Sequence, residues 1–300
     1  MNFREFPVFV PVGKERLCAI VCVPSKRHHD LGVVLLTGAN YSRIHRNRMW
    51  VRTARELAER GYPSIRFDYH GIGDSTGEAR FDLEEPFEED ACAASEFLRE
   101  ATGISKLSVI GTCFGSRTAL AAGARDASIA SIVLFPVKVL VSPNRGSRVV
   151  RSKAKARLEK RASGRRALET LLRWRQKSAS VRGNSRMTVS SKVLEDLTSF
   201  LSSGDVWFVY GERSESLDGV RRCITKVESR VPVELRRRIH LEVIPGTELR
   251  RFQKIEDQDT LVARTLSCVD QTRLGLASSS SHLTDTPVNP SRLGQPAALT

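Results

Sequence analysis

Residues 108–120 read SVIGTCFGSRTAL. A short β-forming run ends at Gly111, Cys113 stands between Gly111 and Gly115, and a helix-forming run follows. A strand–turn–helix of this kind lifts its middle residue out of the fold, and a thiol lifted in this way is a candidate nucleophile. The plainer reading is a small residue that fits a tight turn, because free cysteines are often buried and inert. The surroundings of the turn have to separate the two.

Those surroundings alternate between strand and helix. The stretch 6–24 reads as two strands around a turn at Val12-Gly13-Lys14. A short apolar run, GVVLLTGAN (32–40), is a buried strand. Residues 48–61 place Trp50, Val51, Ala54, Leu57 and Ala58 at helical spacing before Gly61. The stretch SIRFDYHGIGDS (64–75) is a strand opening into a glycine-rich loop. Residues 84–103 repeat the helix pattern, with acids early and Gly103 at the end, as the helix dipole favours. Strands at 107–111 and 131–137 flank a helix at 116–124. Further on, helices are expected at 165–175, 188–204, 217–231 and 256–271, and strands at 206–212 and 240–246. This alternation predicts an α/β fold: a doubly wound, mainly parallel sheet, with the N-terminal hairpin adding antiparallel strands at one edge.

The charge is unevenly placed. The chain has 300 residues and a formal net charge of +14. Residues 1–137 are balanced at 17 basic and 17 acidic, and residues 187–300 at 15 and 15. The 49 residues 138–186 hold 16 basic and 2 acidic side chains and so carry the whole excess. The division expected is a core of 1–137 and 187–274, a basic insertion at 138–186, and a tail at 275–300 whose Ser/Thr/Pro content predicts disorder. No apolar run reaches the roughly 18 residues of a membrane helix, and the N-terminus lacks a signal-peptide layout. The six cysteines form no Cys-x-x-Cys pair and none has a histidine at zinc spacing. A cytoplasmic protein with no metal and no cofactor is expected.

The motifs LLTGAN, ARELAERGYPSIRFDYHGIGDSTG, VIGTCFGSRTAL and FVYGERSES, in that order, resemble the α/β-hydrolase family over roughly residues 6–270. The stretch 54–77 is similar to bacterial esterase and peptidase-like hydrolases. The lead-in HRNRMWVRTARELAERG is similar to hydrolases associated with exosortase systems, some of which carry Cys at the nucleophile elbow. The resemblance implies that Cys113 is the nucleophile and that the backbone N–H groups of Ala39 and Phe114 form the oxyanion hole. It implies a basic lid at 138–186 and a small-molecule or carrier-bound ester or thioester substrate, with an anionic one favoured by the lid's charge. Nucleic acid ranks below these as a partner, because the segment holds one Trp and no nucleic-acid-binding motif. The oligomeric state is left open.

The family's acid is expected three residues beyond the Gly of YGE, where this chain has Ser214. Glu215 is the favoured substitute, although a helix N-terminus attracts carboxylates without any catalytic purpose. The family's histidine belongs in the loop after the last strand, which here reads GTELRRFQK. His240 begins that strand and is expected to be structural. His45 and His70, in loops at the correct end of the sheet, are the candidates for a base, His70 in a place where the family often has Arg. A helix N-terminus at Cys113 is expected to lower its pKa. A thiolate depends less on a base than a serine does, so an esterase, thioesterase or acyltransferase is the first expectation. The alternative is a catalytically degenerate member that binds an anionic ligand or partner through the basic lid.

Overall fold

The computed structural model describes residues 2–26, 29–39, 41–79, 81–141, 187–249, 252–278 and 293. The N-terminal run forms the expected hairpin, β1 (Phe3–Val12) and β2 (Glu15–Pro24), paired antiparallel from Phe3↔Pro24 to Val12↔Glu15. Gly13, at φ +55°, supplies the left-handed turn between them. β3 (Leu31–Leu36) is buried along its whole length, as its continuous apolar run requires of a strand covered on both faces. The rest alternates: α1 (Met49–Glu59), β4 (Ser64–Phe67), α2 (Glu88–Thr102), β5 (Lys106–Thr112), α3 (Phe114–Arg125) and β6 (Ile129–Phe135). Two short strands, β7 (Leu140–Val141) and β8 (Thr188–Val189), pair antiparallel and join the two ends of the basic insertion. Then come α4 (Ser191–Phe200), β9 (Asp205–Gly211), α5 (Leu217–Glu228), the single turn α6 (Val233–Arg236), β10 (Ile239–Ile244) and α7 (Ile255–Ala277).

The main sheet has the order β1-β2-β4-β3-β5-β6-β9-β10. Only the hairpin and its contact with β4 are antiparallel, and the remaining pairs are parallel. Helices α2, α3, α4 and α5 contribute to the apolar layer on one face, while α1 and α7 cover the other. From β3 the chain runs outward to β4 on one side, and β5 then lies on the other side of β3. The loops leaving β3 and β5 therefore diverge at the carboxyl edge of the sheet, where open α/β sheets hold ligands. Cys113 leaves the sheet at that crevice.

The α/β expectation, the hairpin and every element named for the described part of the core are found. The last helix runs to Ala277, longer than its sequence pattern indicated, because Leu261, Val262, Leu266, Cys268 and Val269 bury a continuous stripe. The turn α6 and the pair β7/β8 carry too few residues to leave a periodic signal. The expected helix at 165–175 and nearly all of the expected lid and tail lie outside the described residues. Leu293, the described residue of the tail beyond Ser278, is buried in the apolar layer that includes α2 and α3. Among the described residues, no helix is long and apolar enough to cross a membrane.

α3 fits its place through missing side chains. A Cβ on Gly115 would lie 2.6 Å from the carbonyl oxygens of Leu36 and Thr37, and one on Gly111 would lie 2.5 Å from the Gly115 oxygen. The obstructing atoms are backbone, which cannot swing aside. Gly115→Ala is expected to cost about 3 kcal/mol or to abolish folding, whereas Gly275→Ala, in open space near the end of α7, should add about 0.5 kcal/mol. Urea unfolding of the two variants beside the parent chain checks both signs.

Candidate active site

The turn after β5 carries its strain on Cys113, not on the glycines. Cys113 has φ 54°, ψ −110° and is followed directly by the first residue of α3. Its N–H donates to Phe135 O at 3.4 Å, and its carbonyl accepts from Ser116 N at 3.2 Å. Ser116 Oγ lies 2.8 Å from both Gly111 O and Phe135 O and shares its one proton between them. β5, α3 and the end of β6 are thus tied together around one residue. Non-glycine residues held in such a conformation cost of order 1–3 kcal/mol and persist where the surroundings determine them.

The loop after β3 closes against this turn. A Cβ on Gly38 would lie 3.4 Å from the Cβ of Cys113, so the backbone leading to Ala39 runs alongside the thiol. Tyr69, buried, donates from its hydroxyl to Thr37 O at 3.2 Å, and Thr37 Oγ1 donates to Tyr41 O at 3.1 Å. The same loop is held further out by Asp68. Its buried carboxylate accepts from the backbone N–H and the guanidinium of Arg43 and from Asp74 N at 3.2 Å. Gly73 is required there, because a Cβ would meet Asp68 Oδ2 at 2.1 Å. Ala39 and Phe114, the expected oxyanion-hole residues, therefore stand on the two backbones that flank Cys113.

The thiol itself departs from expectation. Cys113 offers surface to solvent, but protein on most sides makes the anion costly, and burial pushes its pKa up. The Phe114 N–H and the Lys138 charge pull the other way and do not overcome it. The helix N-terminus alone thus fails to deliver the lowered pKa expected from the sequence, because desolvation outweighs a partial dipole charge.

Among the described residues, neither histidine candidate is hydrogen-bonded to the thiol. His45 Nδ1 accepts from Arg46 N at 2.8 Å, which places the ring proton on Nε2, 3.2 Å from Thr112 Oγ1. Its one lone pair is occupied. The ring is buried, stacks on Tyr41 at 4.6 Å and meets Trp50 edge-on at 5.3 Å. Burial, with Arg46 nearby, pushes its pKa down to about 3. His70 Nδ1 is 2.9 Å from Oδ1 of Asp90, a carboxylate that is itself buried and also accepts the His70 N–H at 2.8 Å. The Asp90 hydrogen bond raises the His70 pKa. This pair fastens the β4 loop to α2, beside Phe87 at 4.5 Å, and forms part of a cavity of about 240 Å³ lined by Glu84, Glu88 and Lys192, none of them residues of the elbow. Glu215 is exposed on the loop between β9 and α5. The neighbouring Ser214 and Ser216 hydroxyls lie 3.2 Å apart. Glu212 accepts from Gly246 N at 2.9 Å and so closes the turn after β10. His240 stacks on Trp207 at 3.9 Å, in keeping with the structural part expected of it. Among the described residues, no cluster of three His, Cys, Asp or Glu could hold a metal ion.

The residue that sequence reasoning passed over is Lys138. It is the first cation of the basic insertion, three residues beyond Phe135, whose partner across the sheet is Thr112. Counted with the insertion, it was read as one charge among 16. The register of β5 on β6 pairs Thr112 with Phe135, from which the chain runs on to Lys138.

His45 gives the site a pH signature. Its unfolded-state pKa is about 6.5 and its folded one about 3, so between these values the unfolded chain binds more protons. Its contribution to stability is complete above about pH 6.5 and falls by ~1.4 kcal/mol per pH unit as the pH drops towards 3. Thermal unfolding between pH 4 and 7 should show this slope in the parent chain. It should flatten in His45→Gln, which keeps an N–H donor for Thr112 but cannot titrate.

The family model for the alpha/beta hydrolase fold matches residues 33–194, more than half of the chain. No curated protein matches. Among solved structures, the chain is similar to a proline iminopeptidase of Mycobacterium smegmatis, at 16% identity, 90% of this chain and 99% of that one, with a TM-score of 0.56. It is similar to an esterase of Pyrococcus furiosus, at 15% identity over 90% and 93% of the two chains and a TM-score of 0.59. It is also similar to the α/β hydrolase GrgF of Penicillium sp. sh18, at 16% identity over 91% and 100% and a TM-score of 0.56. At such identities the likeness is one of fold. With the parallel sheet, the strained turn between Gly111 and Gly115 and the β3 loop laid against it, these matches place the chain in the α/β-hydrolase fold family.

Proposed function

We propose that the protein is an acyl-transferring or hydrolysing enzyme in which Cys113 attacks an ester or thioester. The observation that carries this reading is the conformation of Cys113. A strained φ/ψ pair is maintained on a side chain that reaches solvent, at the crevice edge of the sheet, between the backbones of the β3 loop and of the first residue of α3.

The chemistry follows from the groups present. The thiol loses its proton to solvent, and the thiolate sulfur attacks the acyl carbon. The carbonyl π-pair moves onto oxygen, where the N–H groups of Ala39 and Phe114 hold it. Collapse expels the alkoxide or thiolate, which takes up a proton, and leaves an S-acyl cysteine. A thiol or thiolate leaving group favours this sequence, because it leaves readily without protonation in advance. Among the described residues the thiol is hydrogen-bonded to no imidazole: His45 has its lone pair occupied and His70 Nδ1 is bonded to Asp90, so transfer to an acceptor that is already nucleophilic is favoured over fast hydrolysis. Glu215 is retained as the family acid's substitute by position alone. The charge of the basic segment 138–186, which begins just beyond the end of β6, supports an anionic or carrier-bound substrate. A second reading, a catalytically degenerate member that binds such a ligand without turnover, is favoured by one specific observation: the upward shift of the thiol pKa.

Intact-mass measurement after incubation with small thioesters and activated esters tests the proposal. One acyl group is expected on the parent chain and none on Cys113→Ala. Cys113→Ser should lose at least about 100-fold in acylation rate, since a hydroxyl without a base is a poor nucleophile. Equal labelling of parent and Cys113→Ala would rule the reading out.

A further inference from the structure

We propose that a second copy of this chain pairs antiparallel along the outer edge of β10, with Leu241 on the two-fold axis, so that two sheets join into one.

The two edges of the sheet are built differently. At the β1 edge, Ser25 N donates to Asn2 O at 2.7 Å, which with the register Phe3↔Pro24 turns the even-numbered residues of β1 towards β2. The odd-numbered residues face outward, and both prolines of the strand, Pro7 and Pro11, are among them. Prolines at outward positions offer no N–H and keep another strand from adding there. β10 has no such guard. Val206 N donates to Arg238 O at 2.8 Å, and Glu212 N donates to Ile244 O at 2.9 Å. With the parallel register from Ile239↔Val206 to Ile244↔Gly211, the even-numbered residues of β10 are the ones bonded to β9. The N–H and C=O of Ile239, Leu241 and Val243 therefore point out of the sheet, and among the described residues no strand meets them. The strand reads IHLEVI, without Pro or Lys, and its register on β9 is unbroken.

The side chains select a copy of the same strand as the occupant. Antiparallel pairing about Leu241 sets Leu241 opposite the partner's Leu241 and Ile239 opposite the partner's Val243. All of these are outward-facing residues, so each pair exchanges two hydrogen bonds. Their side chains share the α5 side of the sheet, where Ile239 and Val243 pack against the apolar layer and Leu241 is 36% exposed. On the α7 side, the same register sets His240 opposite the partner's Glu242 and Glu242 opposite the partner's His240, an imidazole against a carboxylate on each side of the axis. Glu242 is held at this edge by Arg264 of α7 at 2.8 Å. An axis at His240 would leave Val243 opposite the partner's Arg237, and an axis at Glu242 would set the two Glu242 carboxylates against each other. A hollow of about 450 Å³ lies beside the strand, lined by residues 239–242 and by Arg264 and Gln271 among others, and leaves room for a neighbouring chain. The arrangement is self-complementary, as a two-fold interface requires, and it removes the exposed edge from both copies.

The test is the mass of the full chain in solution, followed by sedimentation equilibrium from about 1 µM to about 100 µM. The parent chain is expected to reach the mass of two copies within this range. Leu241→Lys and Leu241→Glu, at an exposed side chain, each place like charges on the axis and should weaken the pairing at least about tenfold. Residue 241 opposes itself only in this register, so an equimolar mixture of the two variants should recover the two-copy mass, which also shows that both are folded. A single-copy mass of the parent chain at every concentration would overturn the inference, whether the edge is then bare or covered by other residues of the same chain. A two-copy mass that Leu241→Lys leaves unchanged would overturn it as well, because the copies would then meet elsewhere. So would two weakened variants whose mixture stays at the single-copy mass.

Discussion

The site depends on a contact between backbones. The first turn of α3 approaches the ends of β3 and β5 so closely that no side chain fits between them, and Gly111 and Gly115 make that approach sterically allowed. With the helix in that position, the chain has one residue in which to turn from strand to helix, and that residue takes the strain. The cost falls on Cys113, and the burial of α3 offsets it. From Phe114 to Gly123 every residue of α3 is buried. At Gly123 even a methyl group would collide with Ile132 and Phe200. At about 25 cal/mol per Å² of apolar surface, a helix enclosed on this scale easily outweighs a few kcal/mol of backbone strain.

Electrostatics around the turn follow from the same enclosure. The walls that hold Cys113 in place also remove water from around its sulfur, so the thiol becomes harder to ionise. His45 shows the same effect with opposite sign. Enclosed by Tyr41, Trp50 and Phe252, it stays neutral and serves as a hydrogen-bonding spacer between the β3 loop and Thr112. His70 keeps its basicity because a buried carboxylate is bonded to it, but that bond commits it to anchoring the β4 loop on α2. Both imidazoles at this edge of the sheet therefore support loops. Among the described residues, the Phe114 N–H is the group that holds the sulfur from the chain beside it, and the Lys138 charge favours its ionised form.

Much of the fold was legible in the sequence, for identifiable reasons. Continuous apolar runs such as 31–36 and 129–135 belong to strands covered on both faces, and the spacing of Val193, Leu197 and Phe200 belongs to a helix with one buried stripe. Gly13 and Gly103, both with positive φ, ended elements where the pattern expected an end. The elbow was legible because two glycines at fixed spacing around one residue between a strand and a helix have few other uses. Partnerships were not legible. Nothing in the order of residues pairs His70 with Asp90, 20 positions away, or Arg117 with Glu84, 33 away.

The sequence by itself determined the class of fold, the order of its elements, the place of the turn and the identity of the residue at its tip. These are local properties, written in periodicity and in the absence of side chains at two positions. Only the tertiary structure decided how far burial raises the thiol and what each imidazole is bonded to. These depend on distances across strands and loops that are remote in the chain, and on how much water the assembled walls exclude. An ionisation equilibrium responds to both, and neither exists until the sheet has closed around the turn.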